Sequence, residues 1–286
     1  KMLVDQAHEV ALHVLRPVSR KYDKAEHAYP KELDMLASLV DGMNEGGEGM
    51  NAGAAGAGNR SESDNEGNRN GTNMSTALSI IEMCYGDTGL LLSMPRQGLG
   101  NSAIAAVAND EQLERFKGTW AAMAITESGC GSDSAAIRTT AIKDGDDYIL
   151  NGEKIFVTSG ERADSVVVWA TLDKKLGRAA IKSFVVPKGT EGMKVERLEH
   201  KLGIKASDTA VISFIDCRVP AANLLGNAEV DVAKGFAGVM ETFDNTRPLV
   251  AAMAVGCAKA SLERIKEIFI DQLDGNYTTP YLQSSH

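Results

Sequence analysis

The nine residues Ile125 to Asp133, ITESGCGSD, gather two glycines, a thiol and three hydroxyl side chains. Gly129 and Gly131 permit backbone conformations that turn successive amide groups toward an anion, and they let a ligand approach closely. Thr126 and Ser132 add hydroxyls that donate or accept hydrogen bonds. Such a loop suits a phosphate-bearing ligand. Taken alone, however, SGCGSD fits an ordinary glycine-rich turn better. Cys130 has no adjacent cation to lower its pKa, so it is read as a small filler rather than a nucleophile.

A second constellation is Asp244, Asn245, Thr246 and Arg247. Its local reading is a solvated helix face with Asp244 and Arg247 paired at i,i+3. The five histidines are scattered, and none is placed with a nucleophile. Cys84, Cys130, Cys217 and Cys257 form no CxxC pair. Neither a disulfide framework nor a metal site is expected, and the cysteines are read as buried thiols.

A formal net charge of -9 over 286 residues excludes a general nucleic-acid binder, because no basic face is present to release counterions from phosphate. No apolar run approaches the roughly 18–20 residues of a membrane-spanning helix. The first residues, KMLVDQAHEVALHVLRPVSR, mix charged and histidine side chains into the apolar positions and so do not resemble a secretory signal. A soluble, intracellular protein is expected.

The elements around these residues change character along the chain. Leu3, Ala7, Val10 and Val14 recur at helical spacing, with Val4, Ala11 and Leu15 widening the stripe and Pro17 ending it. Leu33, Leu36 and Val40 repeat the pattern over Lys31 to Asp41. Residues Gly42 to Asn73 hold nine glycines and seven asparagines in 32 positions, and predict a mobile insertion or irregular excursion. Helix resumes from Met74 to Tyr85, with Met74, Leu78, Ile81 and Tyr85 in line, and again from Ser102 to Lys117. From Ala121 the period becomes two. AIRTTAI, DDYILNG, KIFVT, SVVVWATL, IKSFVVP, GMKVERL and TAVISFI read as strands. KDGDDY and LNGEK read as turns. Short links imply antiparallel neighbours, hence a sandwich or barrel. Helix returns from Gly235 to Ile270, interrupted at Pro248.

The expected fold is therefore α+β and multidomain. An all-α domain over 1–120 contains the insertion at 42–73. An antiparallel β domain follows over 121–226, and an incomplete helical domain over 227–286.

Four motifs occur in the order found in the acyl-CoA dehydrogenase family, and the chain resembles that family over most of Met123 to Ile265. MAITESGCGSD resembles its flavin loop, and LNGEKIFVTSG its N-G-x-K-x-W-I-T-x-G strand. LGIKASDTAVISFIDCRVPAANLLG resembles the segment that ends its β domain. FDNTRPLVAAMAVGCAKASLERI resembles the start of its carboxy-terminal helices. Two departures stand out. Ser128 replaces the usual proline, and Phe156 replaces the usual tryptophan, keeping a ring face with less area and no indole donor.

The resemblance implies FAD as cofactor, held by Met123, Ala124, Ile125, Thr126, Gly129, Gly131, Ser132, Phe156, Val157 and Thr158. Thr158 would bond the isoalloxazine near N5. Ser132, Asp244, Asn245, Thr246 and Arg247 would contact an acyl-CoA substrate. The implied reaction is α,β-dehydrogenation to a trans-2-enoyl-CoA, with electron-transfer flavoprotein as acceptor and a homo- or hetero-oligomer as the working form. The implied location is the bacterial cytoplasm, or the mitochondrial matrix of a eukaryote. The family's base is a glutamate in later helices or, in a smaller group, immediately before the motif arginine. That position is Thr246 here, and Glu241 projects from another side of the helix. No catalytic residue is nominated. The expectation is that further helices, from this chain or another, supply the base. The alternatives are a half-site subunit of a heteromeric enzyme, and an oxygen-reacting acyl-CoA oxidase or flavin monooxygenase on the same scaffold.

Overall fold

A computed structural model describes residues 2–45, 72–230 and 237–273. The core of the expected insertion (46–71), the start of the expected third domain (231–236) and the polar tail (274–286) lie outside the described residues.

The chain opens with α1 (Met2–Val10), a π-helical segment (Ala11–Leu15) and α2 (Arg16–Lys24), which run on as one rod. Pro17 does not end it. The wider π turn precedes Pro17, so its missing N–H falls at the handover to α geometry, where little is lost. Ala7, Ala11 and Leu15 are fully buried, as their spacing requires. Next come α3 (Glu32–Glu45), α4 (Thr72–Gly86) and α5 (Thr88–Leu92). Residues 42–45 and 72–73, expected to be irregular, belong to α3 and α4. In α4 the expected stripe holds at its end, where Tyr85 is buried and Ile81 packs on the core, but not at its start. Met74 and Leu78 are exposed, whereas Thr76, Ser79, Ile80, Met83 and Cys84 are buried. Small polar residues line the buried face because neighbouring helices pack close against it.

The helix expected over Ser102 to Lys117 is two helices, α6 (Leu99–Val107) and α7 (Asp110–Arg115). A capping box between Asn109 and Gln112 starts α7 and breaks the run. Gln112 then donates to Leu224 O at 2.6 Å and accepts from Gly226 N, fastening α7 to the far end of the β layer.

The β layer is a curled, mixed half-barrel of β1 (Ala121–Ala124), β2 (Thr140–Asp144), β3 (Asp147–Thr158), β4 (Ser165–Thr171), β5 (Ile181–Pro187), β6 (Met193–Leu198) and β7 (Thr209–Pro220). The order is β1-β4-β2-β3-β7-β6, with β5 also on β4. Most pairs are antiparallel, but β4 pairs in parallel with β2, through Thr140 and Thr171, and with β1. The β1–β4 connection contains the whole β2–β3 hairpin and is long enough for a crossover. DDYILNG and KIFVT form the single strand β3, so LNGEK is not a turn. Gly152 serves a close approach instead. A Cβ there would lie 2.3 Å from Thr139 Oγ1, and the β3–β7 register shifts beside it.

Strand alternation sends β1 and β4 side chains to two cores. Ala122, Ala124, Val166 and Val168 join Tyr148, Leu150 and Phe184 inside the sheet. Ala121, Met123, Ile125, Val167 and Trp169 face Ala103 and Ile104 of α6 and Val239 of the last helix. That helix, α8 (Ala237–Leu273), runs without a break through Pro248. The proline costs one intrahelical hydrogen bond, not the helix. It packs on α4 and α6, where Lys259 donates to both Glu82 oxygens and His8 meets Glu82 at 2.7 Å. No described helix is long and apolar enough to cross a membrane. Cys84, Cys130 and Cys217 are buried as expected, but Cys257 of α8 is exposed, its Sγ 2.8 Å from Thr88 Oγ1.

Candidate functional site

The glycine loop leaves the end of β1, whose position is fixed by α6. Asn101 of α6 accepts from Ala121 N and donates to Thr119 O. Gly100 lies so close to β1 that a Cβ would come 2.3 Å from Ala122 O. Beyond β1 the chain turns tightly. Glu127 and Cys130 exchange both backbone hydrogen bonds, at 3.0 and 3.1 Å. The turn reading is thus borne out, and the turn forms the tip of the loop.

What holds the loop was not assigned from sequence. Lys154 of β3 is fully buried and donates to Ile125 O at 3.0 Å and to Glu127 Oε1 at 2.7 Å. Glu127 also accepts from Thr139 N, Thr139 Oγ1 and Arg138 N, at 2.9, 2.7 and 2.7 Å. Burial alone would raise the Glu127 carboxyl, but the Lys154 charge and these donors outweigh it and hold the pKa below the usual range. Burial lowers the Lys154 pKa against the opposing pull of Glu127. A sequence signal for this pair did exist. Strand alternation from Tyr148 and Leu150 puts Lys154 on the inward face, and a buried lysine requires a carboxylate.

The loop is also joined to the strand that carries the exposed aromatic ring, since Ile155 N donates to Thr126 O at 2.9 Å. Next in line, Phe156 is 60% exposed and has φ +57°, an unusual conformation for a bulky residue. The β3–β7 register shifts between Lys154 and Val157, and this irregularity turns the ring out of the sheet. Thr126 and Thr158 are half-buried, and Gly129, Gly131 and Ser132 are exposed.

Not every expected contact residue presents a side chain to this surface. Met123, Ala124, Ile125 and Val157 point into the two cores, so any contact they make uses backbone. Neither Gly129 nor Gly131 has positive φ. A Cβ at Gly129 would meet nothing within 4 Å, and one at Gly131 only Thr126 Cγ2 at 3.9 Å. These glycines are therefore required by no internal turn geometry. They border open space, as a ligand cradle would. Cys130 is buried, and burial followed by the Glu127 charge pushes its thiol pKa up, which agrees with the filler reading.

The second constellation lies on α8, a different element. Arg247 pairs with Asp244 at 3.2 Å on an exposed face, as the local reading had it, and it also lies over the Phe243 ring. Thr246 is on the opposite, buried side with Val239, Thr242, Leu249 and Ala252, and its hydroxyl donates to Thr242 O at 2.9 Å. The side chain of Asn245 lies outside the described residues. Helix α6 connects the two sets, since it packs on both α8 and β1.

Residues 122–217 match the family described as acyl-CoA dehydrogenase, middle domain. The chain is 33% identical over 278 residues to an acryloyl-CoA reductase (NADH) of Anaerotignum propionicum, covering 92% of this chain and 64% of that one. Butyryl-CoA dehydrogenase from Megasphaera elsdenii superposes with a TM-score of 0.76 at 29% identity, covering 99% of this chain and 71% of that structure. A glutaryl-CoA dehydrogenase from Mycobacterium smegmatis in complex with FADH2 gives 0.73 at 26% identity, covering 91% and 62%. The chain thus spans less than two thirds of the length of the curated relative it matches.

Proposed function

This chain belongs to the acyl-CoA dehydrogenase family, and we propose that it binds FAD at the Ile125–Asp133 loop and serves α,β-dehydrogenation of an acyl-CoA thioester. The observation that carries this reading is the braced loop. Glu127 and Lys154 fix its stem, its glycine tip borders open space, and an exposed, conformationally strained Phe156 stands on the strand tied to it. Strain of this kind persists where surrounding structure enforces it, commonly at ligand sites.

The residues present fit the cofactor. Thr126 and Ser132 would supply hydroxyls to it, Phe156 a ring face, and Thr158 a hydrogen bond near N5. Bound flavin supplies the two-electron chemistry by accepting hydride from the substrate β-carbon. The chain's own part is orientation and the exclusion of water from the ring face. Arg247 and Asp244 would line the CoA approach, with Arg247 offering its charge to an anionic or carbonyl group once it leaves Asp244. Removal of the α-proton needs a carboxylate within hydrogen-bonding reach. Thr246 cannot provide it, because it carries no acid and its hydroxyl bonds within its own helix. We assign that base to a further segment or to a partner subunit, and the accepting protein to an electron-transfer flavoprotein.

The visible spectrum of the purified protein tests the first step. A flavin spectrum that bleaches anaerobically with acyl-CoA supports the dehydrogenase. A flavoprotein that does not bleach alone, but does so after a second subunit is added, supports the half-site reading that Thr246 favours. Rapid peroxide formation in air supports an oxidase. A colourless protein that cannot be reconstituted with FAD removes the proposal.

A further inference from the structure

Away from the flavin loop, the turn after α2 meets the connection between β6 and β7. Glu26, His27 and His200 converge there, each offering one ligand atom, and all three atoms lie within 4.8 Å of one another. His200 Nδ1 is 2.9 Å from Glu26 Oε2, and the two imidazole rings are 5.4 Å apart. The second carboxylate oxygen of Glu26 accepts from Lys201 N at 2.9 Å, which fixes the carboxylate plane.

His27 is the informative member. Its backbone is left-handed, with φ +66°. The conformation is held from both sides, by a bond from His27 N to Lys205 O at 3.4 Å and by donation from Arg162 Nη2 to His27 O at 3.1 Å. Arg162 is itself anchored to Ala206 O, Ala28 O and Asp208. Both ring nitrogens of His27 are buried without a hydrogen-bond partner in the described structure. A strained backbone that presents an unsatisfied imidazole to a histidine and a carboxylate needs an explanation. The nearby cations do not supply one. Lys201 Nζ donates to Ser207 O and Arg162 serves backbone carbonyls, so neither caps the ring.

We propose that Glu26, His27 and His200 form a binding site for a divalent transition-metal ion of the zinc type, bracing the helical layer against the sheet. Two imidazoles and one carboxylate are a ligand set that zinc accepts, with water completing the coordination. The cation takes the place of the direct His200–Glu26 contact and satisfies one ring nitrogen of His27. Small side-chain rotations bring the donors to the required ~2.0–2.2 Å from a common centre.

The test uses the full chain without a histidine tag. Equilibrium dialysis with Zn2+ and the visible spectrum with Co2+ are recorded for the parent, His200→Ala, Glu26→Gln, His27→Asn and the control His13→Ala. His200 is exposed, so its removal leaves the fold intact, and asparagine tolerates left-handed backbone at position 27. We expect one equivalent bound by the parent and by His13→Ala. Each site variant should lose affinity by more than the ~10-fold that even an outer-shell change costs. Zn2+ should raise Tm in the parent and not in His200→Ala. Absence of stoichiometric binding, or binding unchanged in His200→Ala, overturns the site.

Discussion

Lys154 Nζ lies 2.7 Å from Glu127 Oε1, and the lysine side chain is wholly buried. This ion pair joins the start of the glycine loop to the middle of β3, the strand that also presents Phe156. Replacing one partner leaves an uncompensated buried charge. Lys154→Met should therefore destabilise the protein by about 3–5 kcal/mol in chemical denaturation. Glu127→Leu combined with Lys154→Met should cost less than the sum of the two single changes. An additive double variant would mean that the pair is not coupled.

Phe156 separates stability from ligand retention. Its left-handed backbone costs about 1–2 kcal/mol in a residue with a Cβ, so Phe156→Gly should be more stable than Phe156→Ala by about that amount. Both should release flavin more readily than the parent, because both lose the ring. Urea denaturation and flavin retention on gel filtration give the two readouts. Equal stability of the two variants would contradict the strain.

Gly152 is required by contact. Gly152→Ala would push a methyl group to 2.3 Å from Thr139 Oγ1, and Thr139 is a donor to Glu127. A loss of about 1–3 kcal/mol is expected, with weakened flavin binding. Enlarging Gly129 in the same way should leave stability nearly unchanged, since a Cβ there meets nothing within 4 Å. Thermal denaturation of the two variants side by side decides the point.

Glu32 sets part of the acid limit. Bonds from Lys21 and then Tyr22 lower its pKa from 4.5 to about 2. As pH falls, the unfolded chain takes up this proton before the folded one does. The stabilisation is therefore complete above pH 4.5 and is lost between 4.5 and about 2. Denaturation curves across that window should fall less steeply for Glu32→Gln than for the parent.

Much of the fold was legible because burial imposes a period. Ala7, Ala11 and Leu15 repeat at helical spacing, and the β-branched runs of β4 and β5 are buried almost end to end between two cores. Misreadings arose where a local rule met a neighbouring element. Pro17 and Pro248 lie inside helices because packing outweighs one lost bond. Gly152 looked like a turn but makes room for Thr139. In α4, Met74 and Leu78 are the more apolar residues, yet close helix packing buries Thr76 and Ser79 instead.

The sequence by itself determined the order of layers, the loop that could hold a flavin and the family motifs, since all of these are written in contiguous residues. Only the tertiary structure decided what braces that loop and which side of α8 Thr246 occupies. It also brought His200 against Glu26, 174 positions away. Scattered histidines carry no local period. Their meeting depends on how the α2–α3 turn docks on the β6–β7 connection, and that docking is set by the Arg162 anchor rather than by any neighbouring residue in the chain.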